Sequence, residues 1–242
     1  MAHLELTGLC KAYGAICIAD RMSLSVPEAQ VLGIIGPNGA GKSSLFNMIS
    51  GDVQPDAGTI SISGRDTTGL PSRRLAKLGV GRTYQIPRPF GGMTVFENLL
   101  VAARFAGGLG ASDARKKCGE VLEATELSHL TDETAGGLRL LDRKRLELSR
   151  ALVTDPELLL LDEIAGGLTD AECISLVAFI GELNKAGITI LWIEHVLHAL
   201  IEVAHRVIAV NAGQILADGS AEDVMASKDV REIYLGSAEA LA

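Results

Sequence analysis

An α/β fold, with a mostly parallel sheet covered by helices on both faces, is predicted by three observations. Short apolar runs alternate with helix-like stretches along the chain. A glycine-rich loop of defined pattern, Gly36-Pro37-Asn38-Gly39-Ala40-Gly41-Lys42-Ser43, directly follows the apolar run Val31 to Ile35. Far downstream, Leu158-Leu159-Leu160-Leu161 runs straight into Asp162-Glu163, as a buried parallel strand ending in two carboxylates does.

Taken in order, residues 1–65 read as short strands broken by turns: Leu4 to Leu6, Ser23 to Val26, Val31 to Ile35, and Thr59 to Ile62 before Gly64. One helix interrupts them, from about Gly41 to Ser50. The stretch 89–149 changes character and reads as an inserted helical subdomain, while about 1–88 and 150–242 form the core. Within the insert, Thr94-Val95-Phe96-Glu97 is a capping box ahead of Asn98 to Ala102. Alternation then resumes with a strand to Leu161 and a helix capped by Thr169, with Glu172 in third position. That helix presents Leu176, Ile180 and Leu183 on one side and stops at Gly187. Strands at Ile188 to Ile193, Arg206 to Val210 and Gln214 to Ala217 and a last helix complete the pattern.

The loop and the carboxylates predict a chemistry. Glycines let successive backbone N–H groups converge on phosphate oxygens, and the following helix aims the positive end of its dipole at the same anion. Gly36 to Ser44 therefore form a triphosphate cradle, with Lys42 reaching the β- and γ-phosphates and Ser43 holding Mg²⁺. Asp162 suits a water-mediated Mg²⁺ ligand, and Glu163 stands at the strand's carboxyl end, where it can polarise an attacking water.

Composition bounds the rest. With 242 residues, 48% of them hydrophobic, the chain suffices for one large domain with a full core. Cys10, Cys17, Cys118 and Cys173 show no paired spacing and read as buried thiols in a reducing compartment. No apolar run approaches the length of a membrane span, and the first residues lack a basic-then-apolar leader, so a cytosolic protein, or one held at a membrane through partners, is expected. A net charge of −8 disfavours a nucleic-acid coat. The local clusters Arg73, Arg74, Lys77, Arg82, Arg88 and Arg139, Arg143, Lys144, Arg145 read as solvated faces of amphipathic helices.

Two further pieces make the chain recognisable. Thr83-Tyr84-Gln85 ends a strand just before the helical insert, and His195 follows the strand closing at Ile193-Glu194. With the loop and Asp162-Glu163, these resemble the ATP-binding subunit of an ABC transporter over about Leu4 to Gly236. The likeness is strongest to the branched-chain amino-acid uptake type, through Gly81 to Gln85, Met93 to Leu99, Trp192 to His195 and the ending Tyr234-Leu235-Gly236; subunits energising lipopolysaccharide export look similar at this level. The resemblance implies a P-loop NTPase (RecA-like) core with an N-terminal antiparallel β subdomain. It implies that adenine stacks on Tyr13, that Gln85 touches Mg²⁺ or the attacking water, and that His195 contacts the γ-phosphate. Glu163, His195, Gln85 and Lys42 are then the catalytic set, and Ser43, Gln85 and Asp162 the metal set. His198 and His205, placed in the helix after His195, read as surface residues.

The chain departs from the family pattern at three places. Leu138-Arg139-Leu140-Leu141-Asp142 stands where Leu-Ser-Gly-Gly-Gln is expected, Ile164 replaces a usual proline, and Thr169 a usual Asp or Asn. Bulk at Leu140 and Leu141 obstructs close backbone approach, and the Asp142 carboxylate repels a phosphate. The implied protein is an ATPase subunit, importing branched-chain or other small amino acids, bound to transmembrane permease subunits at the cytoplasmic face of the membrane and indirectly to an extracytoplasmic solute-binding protein. It favours a heterodimer with a second ATP-binding subunit and no nucleic acid. A non-transport ABC ATPase, or a regulatory ATP-binding module acting on another macromolecule, stays open.

Overall fold

Two sheets and a helical layer organise residues 2–232, which the structure, a computed structural model, describes. The chain opens with a long hairpin, β1 (Ala2–Tyr13) and β2 (Ile16–Pro27), then enters β3 (Val31–Ile35) and α1 (Lys42–Ile49). β4 (Ala57–Ile62), the short β5 (Arg65–Asp66), α2 (Ser72–Lys77) and β6 (Val80–Arg82) follow. Next come α3 (Val95–Phe105), α4 (Ala111–Ala124) and α5 (Leu140–Leu152). The chain continues through β7 (Leu158–Asp162), α6 (Asp170–Lys185), β8 (Thr189–Ile193) and α7 (Leu197–Val203), then β9 (Arg206–Asn211), β10 (Gln214–Gly219) and α8 (Ala221–Ala226).

The larger sheet has the order β10-β9-β3-β8-β7-β6, parallel except for the β9–β10 edge pair. The smaller is antiparallel, in the order β2-β1-β4-β5. Side chains alternate across each central strand. Leu32, Ile34, Leu158, Leu160, Leu191 and Ile193 face a core shared with α1 and the antiparallel sheet. Val31, Ile35, Leu159, Leu161, Ile190 and Trp192 face a second core shared with the helices. Burial on both faces is why these strands read as continuous apolar runs. No helix among the described residues is long and apolar enough to cross a membrane.

Both capping boxes form. Thr94 accepts from the Glu97 amide at 3.1 Å and its own amide donates to the Glu97 carboxylate at 2.9 Å. Thr169 and Glu172 do the same at the start of α6.

Several expectations need correction. The hairpin is far longer than Leu4 to Leu6 and Ser23 to Val26, because register shifts between Leu6 and Leu9 and between Leu9 and Lys11 interrupt the alternation without ending the pairing. The strand expected to run through Gln85 stops at Arg82. His205 lies beyond α7, where its Nδ1 accepts from the Val31 amide at 3.1 Å. Cys118 and Cys173 are buried, and burial pushes the Cys118 thiol up to about 11, but Cys10 is half-buried and Cys17 exposed. Tyr234-Leu235-Gly236 lies outside the described residues.

Candidate functional site

The site is built where β3, β7 and β8 end side by side. β3 delivers the chain into the loop at Gly36, whose φ is 151° and where a Cβ would lie 2.1 Å from the Val210 carbonyl oxygen. Gly41, with φ 105°, caps α1; a Cβ there would lie 2.3 Å from the Ile18 carbonyl oxygen. Only glycine fits two such approaches. Because Gly41 offers no side-chain cap, the first-turn N–H groups of α1 remain directed at the loop. Asn38 and Gly39 are exposed at its crown and Ala40 is buried. Ser43 is exposed and Ser44 half-buried at the start of the helix.

Lys42 is buried and folds back over the loop, donating to the Gly36 carbonyl at 2.7 Å and the Pro37 carbonyl at 3.0 Å. Burial lowers its pKa, opposed by the charges of Glu163 and Asp162. An ammonium held among neutral donors with carboxylates nearby is placed to neutralise an anion seated in the loop.

Asp162 ends β7. Its amide donates to Thr83 Oγ at 3.2 Å, Oδ2 lies 3.7 Å from the Arg82 guanidinium, and burial raises its pKa. Oδ1 is buried with no hydrogen-bond partner among the described residues. Ser43, Gln85 and Asp162 line one cavity of about 450 Å³. An orphaned carboxylate oxygen, a hydroxyl and an amide oxygen around one space are hard donors that fit Mg²⁺.

Glu163 adopts φ 49°, a left-handed conformation rare for a long side chain, with its amide donating to the Ile193 carbonyl at 2.9 Å. Its carboxylate meets His195 Nε2 at 2.8 Å through Oε1 and accepts from the Gln85 side-chain amide through Oε2. Gln85, Glu163 and His195, far apart in sequence, thus form one chain of contacts beside the loop. Tyr13 stands apart, 53% exposed near the tip of the hairpin, with the Lys11 ammonium 5.4 Å from its ring centroid.

Two basic residues assigned to solvated faces are not there. Arg82 is largely buried and binds Ser50 Oγ at 2.7 Å and Asp52 at 3.0 Å, stacked 4.7 Å from the Tyr84 ring. Lys144 is buried and donates to three carbonyls of the segment after Asp162. The buried Glu194 was given no role by the sequence reading; its one signal is a carboxylate directly after the four apolar residues Ile190 to Ile193 of β8.

The ABC transporter family model matches residues 19–166. A high-affinity branched-chain amino acid transport ATP-binding protein, LivG of Salmonella typhimurium, is 38% identical over 97% of this chain and 98% of its own length. The lipopolysaccharide export system ATP-binding protein LptB of Haemophilus influenzae is 34% identical over 98% of each. The ADP conformation of an ATP-binding cassette of an ABC transporter superposes with a TM-score of 0.88 at 33% identity, covering 98% of this chain and 99% of that one.

Proposed function

This chain belongs to the ABC transporter family as an ATP-binding subunit that hydrolyses ATP, and from that premise we propose that it powers uptake of branched-chain or other small amino acids. The observation that carries the mechanistic reading is the Glu163 carboxylate, shared between Gln85 and His195 beside the Lys42 loop. The loop amides and Lys42 bind the triphosphate, and Tyr13 stacks on adenine once nucleotide is bound. Ser43, Asp162 and Gln85 would hold Mg²⁺, which when bound supplies charge neutralisation at the phosphate oxygens. Glu163 takes the proton of the attacking water, while His195 orients that carboxylate and faces the γ-phosphate. The amide of Gln85 reports occupancy to the chain that follows it.

That chain, from Ile86 through Phe90 to Met93, exposes apolar side chains beside the site and suits a permease contact at the cytoplasmic membrane face. A second ATP-binding subunit completes the assembly. The amino-acid reading follows LivG; the similar identity to LptB makes export of a lipid the competing outcome. Purification of the chain with its native membrane partners, followed by ATPase assays in proteoliposomes, tests the proposal. Stimulation by leucine with a solute-binding protein is the expected result. Copurification without any polytopic membrane protein, or stimulation by lipopolysaccharide instead, would overturn it.

A further inference from the structure

Two buried side chains of opposite charge grip the backbone just after Asp162. Lys144, on α5, is 6% exposed and donates to the carbonyl oxygens of Glu163 at 3.2 Å, Ile164 at 2.9 Å and Gly166 at 2.5 Å. Three carbonyls match the three protons of one ammonium. Glu194, 1% exposed at the end of β8, accepts from the Ala165 amide at 2.7 Å through Oε1. Its Oε2 accepts from the His195 amide at 2.8 Å and the Val196 amide at 3.4 Å. Glu163, Ile164 and Gly166 therefore give their carbonyls to a cation and Ala165 its amide to an anion, and the same anion holds the backbone of His195. Burial draws the Lys144 pKa down, and the carboxylates of Glu194 and Glu163 oppose that shift.

Such a pair is a costly way to fill space, because buried charges lose hydration that apolar side chains never had. What it accompanies here is a specific strain: Glu163 is left-handed at φ 49°, a state that persists only when surroundings over-determine it. We infer that Lys144 and Glu194 are positioning residues that fix the left-handed backbone at Glu163 and the start of the His195 segment, so that carboxylate and imidazole meet. Because Lys144 rides on α5, whose first turn begins at Leu140, the pair also links that helix end to the hydrolytic carboxylate. Neither residue reacts; both act through Glu163 and His195, and the inference rests on the reading of Glu163 as the base.

Turnover and ATP dependence of the assembled transporter test it. Lys144→Met and Glu194→Gln each lower kcat by about tenfold or more while KM for ATP moves less than about threefold. Lys144→Arg, which keeps donors on a cation, recovers most of the loss. Lys144→Met placed on Glu163→Gln slows turnover no further than Glu163→Gln alone, since both remove the same step. Unchanged kcat in Lys144→Met and Glu194→Gln, or losses that multiply in the double variant, overturns the inference. Should Lys144→Met fail to assemble, Glu194→Gln decides, because it keeps the volume and loses only the charge and one acceptor. Wild-type turnover in Glu163→Gln would bring down the base assignment and this inference together. A slow Glu163→Gln beside normal Lys144→Met and Glu194→Gln would bring down this inference alone.

Discussion

Lys42 holds two loop carbonyls while its burial opposes its charge. Lys42→Ala removes the cation from the cradle, and ATP affinity is expected to fall at least about tenfold, or about 1.4 kcal/mol; titration with ATP checks this, and unchanged affinity would remove Lys42 from the triphosphate site. Glu163→Gln keeps the shape but not the base, so binding is retained while turnover falls by about a hundredfold or more, near 2.7 kcal/mol. Phosphate release from the assembled complex within about threefold of wild type would contradict it. Two glycines of one loop differ in steric cost: Gly36→Ala, at φ 151°, also drives a Cβ to 2.1 Å from a carbonyl oxygen, whereas Gly39→Ala, at φ 81°, meets nothing within 4 Å and carries the backbone cost alone. Urea midpoints should place the first at about 1–3 kcal/mol or more and the second at about 1–2 kcal/mol. The loop, Asp162 and Glu163 could be read from a spaced motif and a strand end, whereas Gln85 and His195 could be singled out only through the resemblance to the family. Lys144, Arg82 and Glu194 could be read in neither way, because a charged side chain's destination depends on which carbonyls or guanidinium partners the fold brings to it, and no spacing encodes that.

Elements whose signals are local were read well. α3 and α6 carry their start signals in Thr94-x-x-Glu97 and Thr169-x-x-Glu172, and both boxes form. Thr169→Ala should cost about 1 kcal/mol, seen as a lower urea midpoint with an unchanged slope; no shift would mean that Glu172 alone satisfies the helix start. Elements specified by distant partners were misread. β6 ends at Arg82 because the Thr83 hydroxyl takes the Asp162 amide that the ladder would otherwise pair with the Thr83 carbonyl, a tie made 79 residues away. The solvated-face reading holds for Arg73, Arg74 and Lys77 on α2 but fails at Lys144 for a related reason: α5 buries Lys144, Leu146, Glu147, Leu148 and Ser149, more than one stripe, between the sheet and the other helices. Apolar periodicity identifies the face that must be covered but not a second face that the fold happens to cover.

At the scale of the whole molecule, α5 opens on Leu138 to Asp142, the residues that the resemblance sets against Leu-Ser-Gly-Gly-Gln. Arg139 is the N-cap without a side-chain cap bond, Leu140 is 45% exposed, and Asp142 occupies the first turn. A carboxylate there stabilises the helix end on its own and repels a phosphate presented by a neighbouring subunit. If two subunits close head to tail over two nucleotides, a homodimer pairs each Lys42 site with such an end. Losing one well-aimed donor to a developing anion costs about 3 kcal/mol, so the isolated chain should turn over at least about a hundredfold more slowly than a complex completed by a partner with small residues at these positions. Converting Arg139, Leu140, Leu141 and Asp142 together to Ser, Gly, Gly and Gln should raise the ATPase rate of the purified chain, and adding such a partner should do so without mutation. ATP affinity at Lys42 and Ser43 should stay the same in both experiments, which separates a repaired neighbour-facing surface from a general gain in nucleotide binding. A wild-type chain that alone hydrolyses ATP at about 1–10 s⁻¹, ordinary for an enzyme, would show that residues 138–142 serve a homodimer as they stand, and the asymmetric pairing would be wrong.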